Sequence, residues 1–161
     1  MADDESPAAL TGDDLDTWAA LATILEWLPP ALDAQLFRDS GLTHFEYGVL
    51  FALADAPGRS LRMSILAGYA NSSLSRLSRA ASRLETKGWV RRIADPDDGR
   101  STLAVLTDRG FAHYEQASPG HVRTVRRLVL DRLTLSQRSQ LREISGRIMR
   151  AVRDEEGWKP S

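Results

Sequence analysis

Apolar residues return at helical spacing along most of this chain, and the places where the period fails mark its joints. Leu15, Trp18, Ala22, Leu25, Leu32 and Leu36 line one side of a helix expected over residues 11–40. Pro29 and Pro30 fall inside it. Each lacks an amide hydrogen and crowds the preceding turn, so a kink or a break is expected there. Thr43 and Glu46 have the spacing of a capping box, opening a helix through Tyr47, Leu50 and Leu53 that Ala56-Pro57-Gly58 closes. Residues 63–69 suit a short helix ending near Ala70-Asn71. A longer one should run from Ser73 to Lys87, with Ser72 as N-cap and Gly88 as its stop.

The period then changes. Val90–Ile93 and Leu103–Leu106 read as two short strands, joined by a turn at Asp95-Pro96-Asp97-Asp98-Gly99. Thr107 caps the next helix, which is expected to break at Ser118-Pro119-Gly120. Thr134 and Gln137 form a second capping box, and Leu141, Ile144, Ile148 and Val152 keep an apolar stripe on the last helix. The fold class expected is mainly α with one β-hairpin. Two helices joined at a tight turn and followed by a hairpin make a winged helix-turn-helix.

The helix over 73–87 carries the chemistry. At 100° per residue Leu74, Leu77, Ala80, Ala81 and Leu84 fall within an arc of about 120°, which must be the buried face. Ser72, Arg76, Arg79 and Arg83 gather opposite within about 60°, with Ser75 beside them. Guanidinium forks read guanine edges or grip phosphates, and serine hydroxyls reach either. A generic solvated face would mix its charges, whereas this stripe contains no acid. On the hairpin, Arg100 either enters a minor groove from the wing tip or pairs with Asp95, Asp97 or Asp98. Asp98 is expected to orient Arg100 or an arginine near the wing base.

Composition narrows the alternatives. A chain of 161 residues with 42% apolar and 27% charged residues has room for one core and is neither disordered nor a coiled-coil rod. No apolar run approaches the ~20 residues needed to span a bilayer. The acidic stretch Met1–Pro7 does not resemble a secretion signal, so a cytoplasmic protein is expected. Without cysteine there is no disulfide, thiolate zinc site or thiol switch. His44, His113 and His121 lack close ligand spacing, so neither metal nor cofactor is expected. A glycine-rich phosphate loop, a nucleophile elbow and paired histidines on one helix face are all missing, which argues against an enzyme.

The net charge of −1 conceals a division along the chain. Residues 1–60 carry 11 acids and two bases, residues 71–92 six bases and one acid, and residues 121–153 nine arginines and two acids. Local basic density is what attracts a polyanion.

The segment Leu66–Gly110, about a quarter of the chain, resembles the core of the MarR family of bacterial transcriptional regulators. Its most specific part is Asp98-x-Arg100 followed by Leu106-Thr107 and Gly110, similar to the family's wing signature, and Leu84–Arg92 is similar to the usual end of the recognition helix. Ala104 stands where relatives usually have Val or Ile, and Gly99 where a second arginine is common. The resemblance implies an obligate homodimer, most simply a repressor, whose end helices interlock and whose winged domains bind a pseudo-palindromic operator. The expected organisation is a flexible acidic tail at 1–10, an N-terminal dimerisation helix at 11–40, a winged helix-turn-helix at 41–110, C-terminal dimerisation helices at 111–156 and a tail at 157–161. The acidic first helix and the basic last helices complement each other in charge, and neither apolar stripe is needed to complete a winged domain. Half-sites on double-stranded DNA would lie about 10 base pairs apart.

Within that reading, Ser73, Ser75, Arg76 and Arg79 serve the major groove, and Ser72 caps the helix and touches a phosphate. Arg83 lies on the same reading stripe and meets phosphates, as do Lys87 and Arg91, while Arg100 and Asp98 form the wing contact. Many relatives release DNA when a small aromatic ligand enters the cleft beside the dimer helices; Trp18, Trp27, His44 and Tyr47 would line it, if they are not packing residues. The alternative function is a winged-helix scaffold that binds only protein. That reading expects acids or apolar groups where Arg76, Arg79 and Arg83 stand.

Overall fold

The computed structural model describes residues 9–155. The tails expected at 1–10 and 157–161 lie, apart from residues 9 and 10, outside the described residues. Helix α1 (Gly12–Ser40) leads into α2 (His44–Asp55), a 3₁₀ turn at Pro57–Arg59, strand β1 (Ser60–Arg62), α3 (Met63–Tyr69) and α4 (Leu74–Thr86). Strands β2 (Val90–Asp95) and β3 (Asp98–Leu106) follow, then α5 (Asp108–Leu128), a 3₁₀ turn at Leu130–Arg132 and α6 (Leu135–Glu155).

Several expectations are corrected. Pro29 and Pro30 do not break α1, which runs through them for 29 residues. A proline φ near −65° is compatible with a helix, and the lost amide bonds are outweighed by burial of Leu32, Gln35 and Leu36 just beyond. The break expected at Ser118-Pro119-Gly120 is also absent, because α5 is anchored on both sides of Pro119 by buried Ala117, His121 and Thr124. The expected hairpin is present as β2–β3, and a short third strand extends it into an antiparallel sheet of order β1-β3-β2. Ser60, Leu61 and Arg62 pair with Val105, Ala104 and Leu103, a strand too short to announce itself by alternation.

The N-cap of α4 is Ser73 and not Ser72. The Ser73 hydroxyl accepts the Arg76 amide, whereas Ser72 Oγ donates to the Ser73 carbonyl at 3.3 Å. Leu74, the first residue of the helix, is 41% exposed, and the buried stripe begins only at Leu77. The other caps lie where the spacing puts them. Thr43 and Glu46 close a reciprocal box at 3.0 and 3.1 Å, Thr107 accepts the Gly110 amide, and Thr134 and Gln137 exchange bonds at 2.9 and 3.2 Å. Gly88 takes φ +73° and ends α4, a left-handed conformation that glycine adopts without steric cost.

The core lies between α2, α3, α4 and the sheet, built on Leu36, Leu42, Leu50, Leu53, Leu66, Leu77 and Leu84. Ala104 is fully buried at the middle of the sheet. The C-terminal half of α1 packs on α5, where His113 Nε2 meets the Ser40 carbonyl at 2.9 Å. The first half of α1 is exposed apart from Leu21 and Ala22, as is α6 apart from Arg138 and Gly146 among its described residues. Among the described residues no helix is long and apolar enough to cross a membrane.

Candidate nucleic-acid interface

Helices α3 and α4 meet at a tight turn in which Asn71 takes φ +43°. Leu77, Ala80, Ala81 and Leu84 seat α4 on the core, and this fixes which residues face outward. Its outward stripe is Ser75, Arg76, Arg79 and Arg83, all exposed, with Ser73 at the cap and Ser72 half-buried before it. Ser73 and Ser75 hydroxyls lie 3.0 Å apart.

The basic groups of this surface are not equivalent. Arg76 lies over the Phe45 ring at 4.4 Å. Arg83 donates its Nε proton to Glu46 at 2.7 Å, and that carboxylate is 5% exposed. Lys87 donates to the Gly41 carbonyl at 2.8 Å and lies over the Trp89 ring. Arg76 and Arg83 of α4 and Lys87 at its C-cap thus hold the chain around the start of α2. Arg92 is drawn inward by Glu85, Ser78 and Ser82, fastening β2 to α4, and the Arg92 guanidinium holds the Glu85 carboxyl below its usual range. Arg79 and Arg91 are exposed and pair with no other described residue.

The wing is the β2–β3 hairpin, with a bulge between Ala94 and Asp95. Asp98 accepts the Arg100 amide at 3.1 Å and the Ser101 hydroxyl at 2.8 Å, bonds that hold its carboxyl below the usual range. It therefore bonds the backbone of Arg100 and acts on the Arg62 guanidinium through charge alone, without a hydrogen bond between them among the described residues. The arginine at the wing base is Arg62, and the residue that fixes it is Asp95, a buried carboxylate meeting Arg62 Nε at 2.6 Å. The amide of Asp97 and then Arg62 keep the Asp95 carboxyl depressed. With Asp95 and Asp98 both used internally, Arg100 extends from the wing without an ion pair among the described residues.

The four residues expected to line an effector cleft are not brought together. Trp18 and Trp27 are exposed on α1, the latter at 77%. Tyr47 is buried, its phenol 3.1 Å from Ser118 Oγ, and burial raises its pKa. His44 alone of the four borders a cavity of about 600 Å³ between α2, α3 and β1, walled also by Phe45, Phe51, Leu66 and Tyr69. His121, weighed in the sequence only as a metal ligand, stands 4.4 Å from the Tyr47 ring and 5.5 Å from that of His44. No cluster of three or more metal-ligating side chains occurs among the described residues.

A helix-turn-helix with a wing, presenting arginine and serine from its second helix, defines a winged-helix protein of the nucleic-acid-binding class. Residues 40–101 match the sequence model of the MarR family. The chain is similar to Sco3205, a MarR family transcriptional regulator from Streptomyces coelicolor solved in complex with DNA: identity is 45%, coverage 96% of this chain and 94% of that one, and the TM-score 0.85. It is similar also to AbsC, another MarR family regulator from Streptomyces coelicolor, at 31% identity, with 91% and 99% covered and a TM-score of 0.87. A shorter likeness joins it to the HTH-type transcriptional regulator PecS of Dickeya dadantii, 35% identical over 74 residues. That match spans 46% of this chain and 44% of PecS, less than half of either. The chain belongs to the MarR family, whose members are transcriptional regulators and not enzymes.

Proposed function

We propose that the protein is a dimeric repressor that binds a pseudo-palindromic operator through α4 and the wing. The observation that carries this reading is the acid-free outer stripe of α4, where Arg79 stands exposed and unpaired among the described residues beside Ser73, Ser75 and Arg76. In this assignment Arg79 and Arg76 read base edges in the major groove, with Ser73 and Ser75 beside them. Ser72, Lys87 and Arg91 meet phosphates, and Arg100 reaches the minor groove from a wing tip shaped by Asp98. Arg83, expected on phosphate, donates its Nε proton to Glu46 and keeps a half-exposed side chain.

Dimerisation is supported by apolar surface that the described chain leaves uncovered at both ends. Leu15, Trp18 and Leu25 on α1, and Leu141, Ile144 and Ile148 on α6, are each at least 42% exposed. Stripes of this kind on soluble helices mark interfaces. Residues 11–40 and 111–156 would then form the interlocked dimer base and residues 41–110 the DNA-binding unit. Repression is the sense suggested by family membership. The cavity beside His44 offers a place for a small aromatic effector, because its Phe45 wall also carries Arg76 of the reading helix. A ligand that displaced Phe45 would disturb Arg76.

The test is a salt titration of binding to the promoter region of the protein's own gene, with wild type beside Arg79→Ala. Selective binding that weakens steeply with salt and is lost in the variant is the expected result. Failure to bind that DNA, or any duplex selected from a random pool, would favour the protein-binding scaffold.

A further inference from the structure

Glu46 sits at an unusual crossing. It is the third residue of α2, it is buried, and its two carboxylate oxygens are divided between two tasks. Oε2 accepts the Thr43 amide at 3.0 Å and completes the cap of α2. Oε1 accepts Arg83 Nε at 2.7 Å, across 37 residues of sequence. Only the first task is needed to start the helix, and a neutral glutamine at that position would perform it equally well.

The second task has an electrostatic consequence. Arg83 lies seven residues after Arg76, two turns along the same face, so its charge belongs to the stripe that would approach DNA. Paired with a carboxylate, it presents no net charge there. DNA cannot easily draw it away, because that would leave Glu46 buried without its counter-charge, an arrangement strongly disfavoured in a protein interior. An ion pair of zero net charge displaces no condensed counterion from a duplex, and counterion release is the source of sequence-independent affinity.

We infer that Glu46 reduces the charge Arg83 offers to DNA and is a specificity-determining positioning residue: it holds the guanidinium at Nε and offsets its charge, although the Arg83 side chain stays 56% exposed. Sequence discrimination is a ratio of two affinities, and it rises when the nonspecific one is lowered. The device offsets one positive charge per recognition helix while Arg79 remains available. The inference rests on the DNA-binding reading above, and its test separates the two.

The experiment measures binding of a labelled random-sequence duplex by the full chain over a series of salt concentrations. Wild type, Glu46→Gln and the double variant Glu46→Gln/Arg83→Gln are compared, with thermal unfolding recorded for each. Glu46→Gln keeps the helix cap and frees the guanidinium. Its plot of log affinity against log salt is expected to steepen by about 0.9 per recognition helix. A fourfold rise in salt would then cost it about 3.5-fold more affinity per helix than it costs wild type. The double variant is expected to return to the wild-type slope. Loss of a purely structural bond would lower stability without steepening the slope.

Two results overturn the inference. One is a Glu46→Gln slope equal to that of a wild type that binds normally. The other is a double variant shallower than wild type, since Arg83 would then already touch phosphate with Glu46 in place. If wild type binds no duplex at any salt, the DNA-binding reading itself fails, and this inference with it.

Discussion

Gly110 is the third residue of α5, and a methyl group there has nowhere to go. A β-carbon on its backbone would overlap the Trp89 carbonyl oxygen and lie 2.8 Å from Leu106 Cδ1. The carbonyl is not free to swing aside, because it accepts the Thr107 amide at 3.0 Å and the Thr107 hydroxyl at 3.1 Å. Gly110→Ala must therefore move the start of α5 away from the Trp89 strand entry. Overpacking of this kind costs about 1–3 kcal/mol. Weakening the two bonds to Trp89 adds about 1–2 kcal/mol. Exchanging glycine for alanine in a helix returns about 1 kcal/mol, which leaves a net loss of about 1–4 kcal/mol. For a chain of this length that corresponds to a fall in Tm of roughly 2–16 °C. Thermal and urea unfolding at one fixed protein concentration would measure it, with Gly99→Ala as control, since a β-carbon there meets nothing within 4 Å. A Gly110→Ala variant within about 0.5 kcal/mol of wild type would refute the reasoning.

Three further outcomes are expected. Ser73→Ala removes the cap of α4 and should cost about 1 kcal/mol in denaturant unfolding, while Ser72→Ala should cost almost nothing; equal losses would contradict the cap assignment. The Asp95 carboxyl is depressed by the Asp97 amide and by Arg62, and that of Glu85 by Arg92. Their contribution is complete above the unfolded carboxyl pKa of about 4 and is lost as pH falls through the lower folded values. Unfolding followed downward from about pH 6, where both carboxylates are ionised, should show this decline, and Asp95→Asn should flatten it; a decline of undiminished steepness would tell against Asp95. Asp98→Ala frees the Arg100 amide and Ser101 hydroxyl, loosening the wing tip, and should weaken operator binding about fivefold if the loss is ~1 kcal/mol; unchanged or tighter binding in an anisotropy titration would remove Asp98 from the wing's role.

What the sequence revealed of this fold is what acts within a single turn. The boxes at Thr43/Glu46 and Thr134/Gln137 and the cap at Thr107 are contacts three residues apart, so their chemistry is visible in the spacing. The outer stripe of α4 follows from helical geometry and the leucines beneath it. Where two adjacent residues could serve equally, as Ser72 and Ser73 could, local chemistry does not choose between them and packing does. Pro29, Pro30 and Pro119 are breakers by local rule, yet each sits in a helix with a buried face farther on. The partners of the cations were hidden for a different reason. Glu46 with Arg83 and Arg62 with Asp95 are meetings across 37 and 33 residues, fixed by how α2, α4 and the sheet stack. Residue types advertised a basic surface; only distances divide it into groups that are occupied and groups that are available.

The unbroken course of α5 has a mechanical consequence. Its first turn is locked to the wing and the end of α4 through Thr107 and Gly110, and its middle is clasped to α1 through His113 and His121. With 21 residues it measures about 32 Å, a single stiff lever with its fulcrum against α1. A tilt of about 5° about that middle would shift the two ends by roughly 3 Å relative to one another, comparable to the rise of one base pair along a duplex. Had Pro119 broken the helix, that rotation would have been dissipated in a joint; in the dimer proposed above, a continuous α5 would let a small change of angle at its base alter the separation of the two recognition helices.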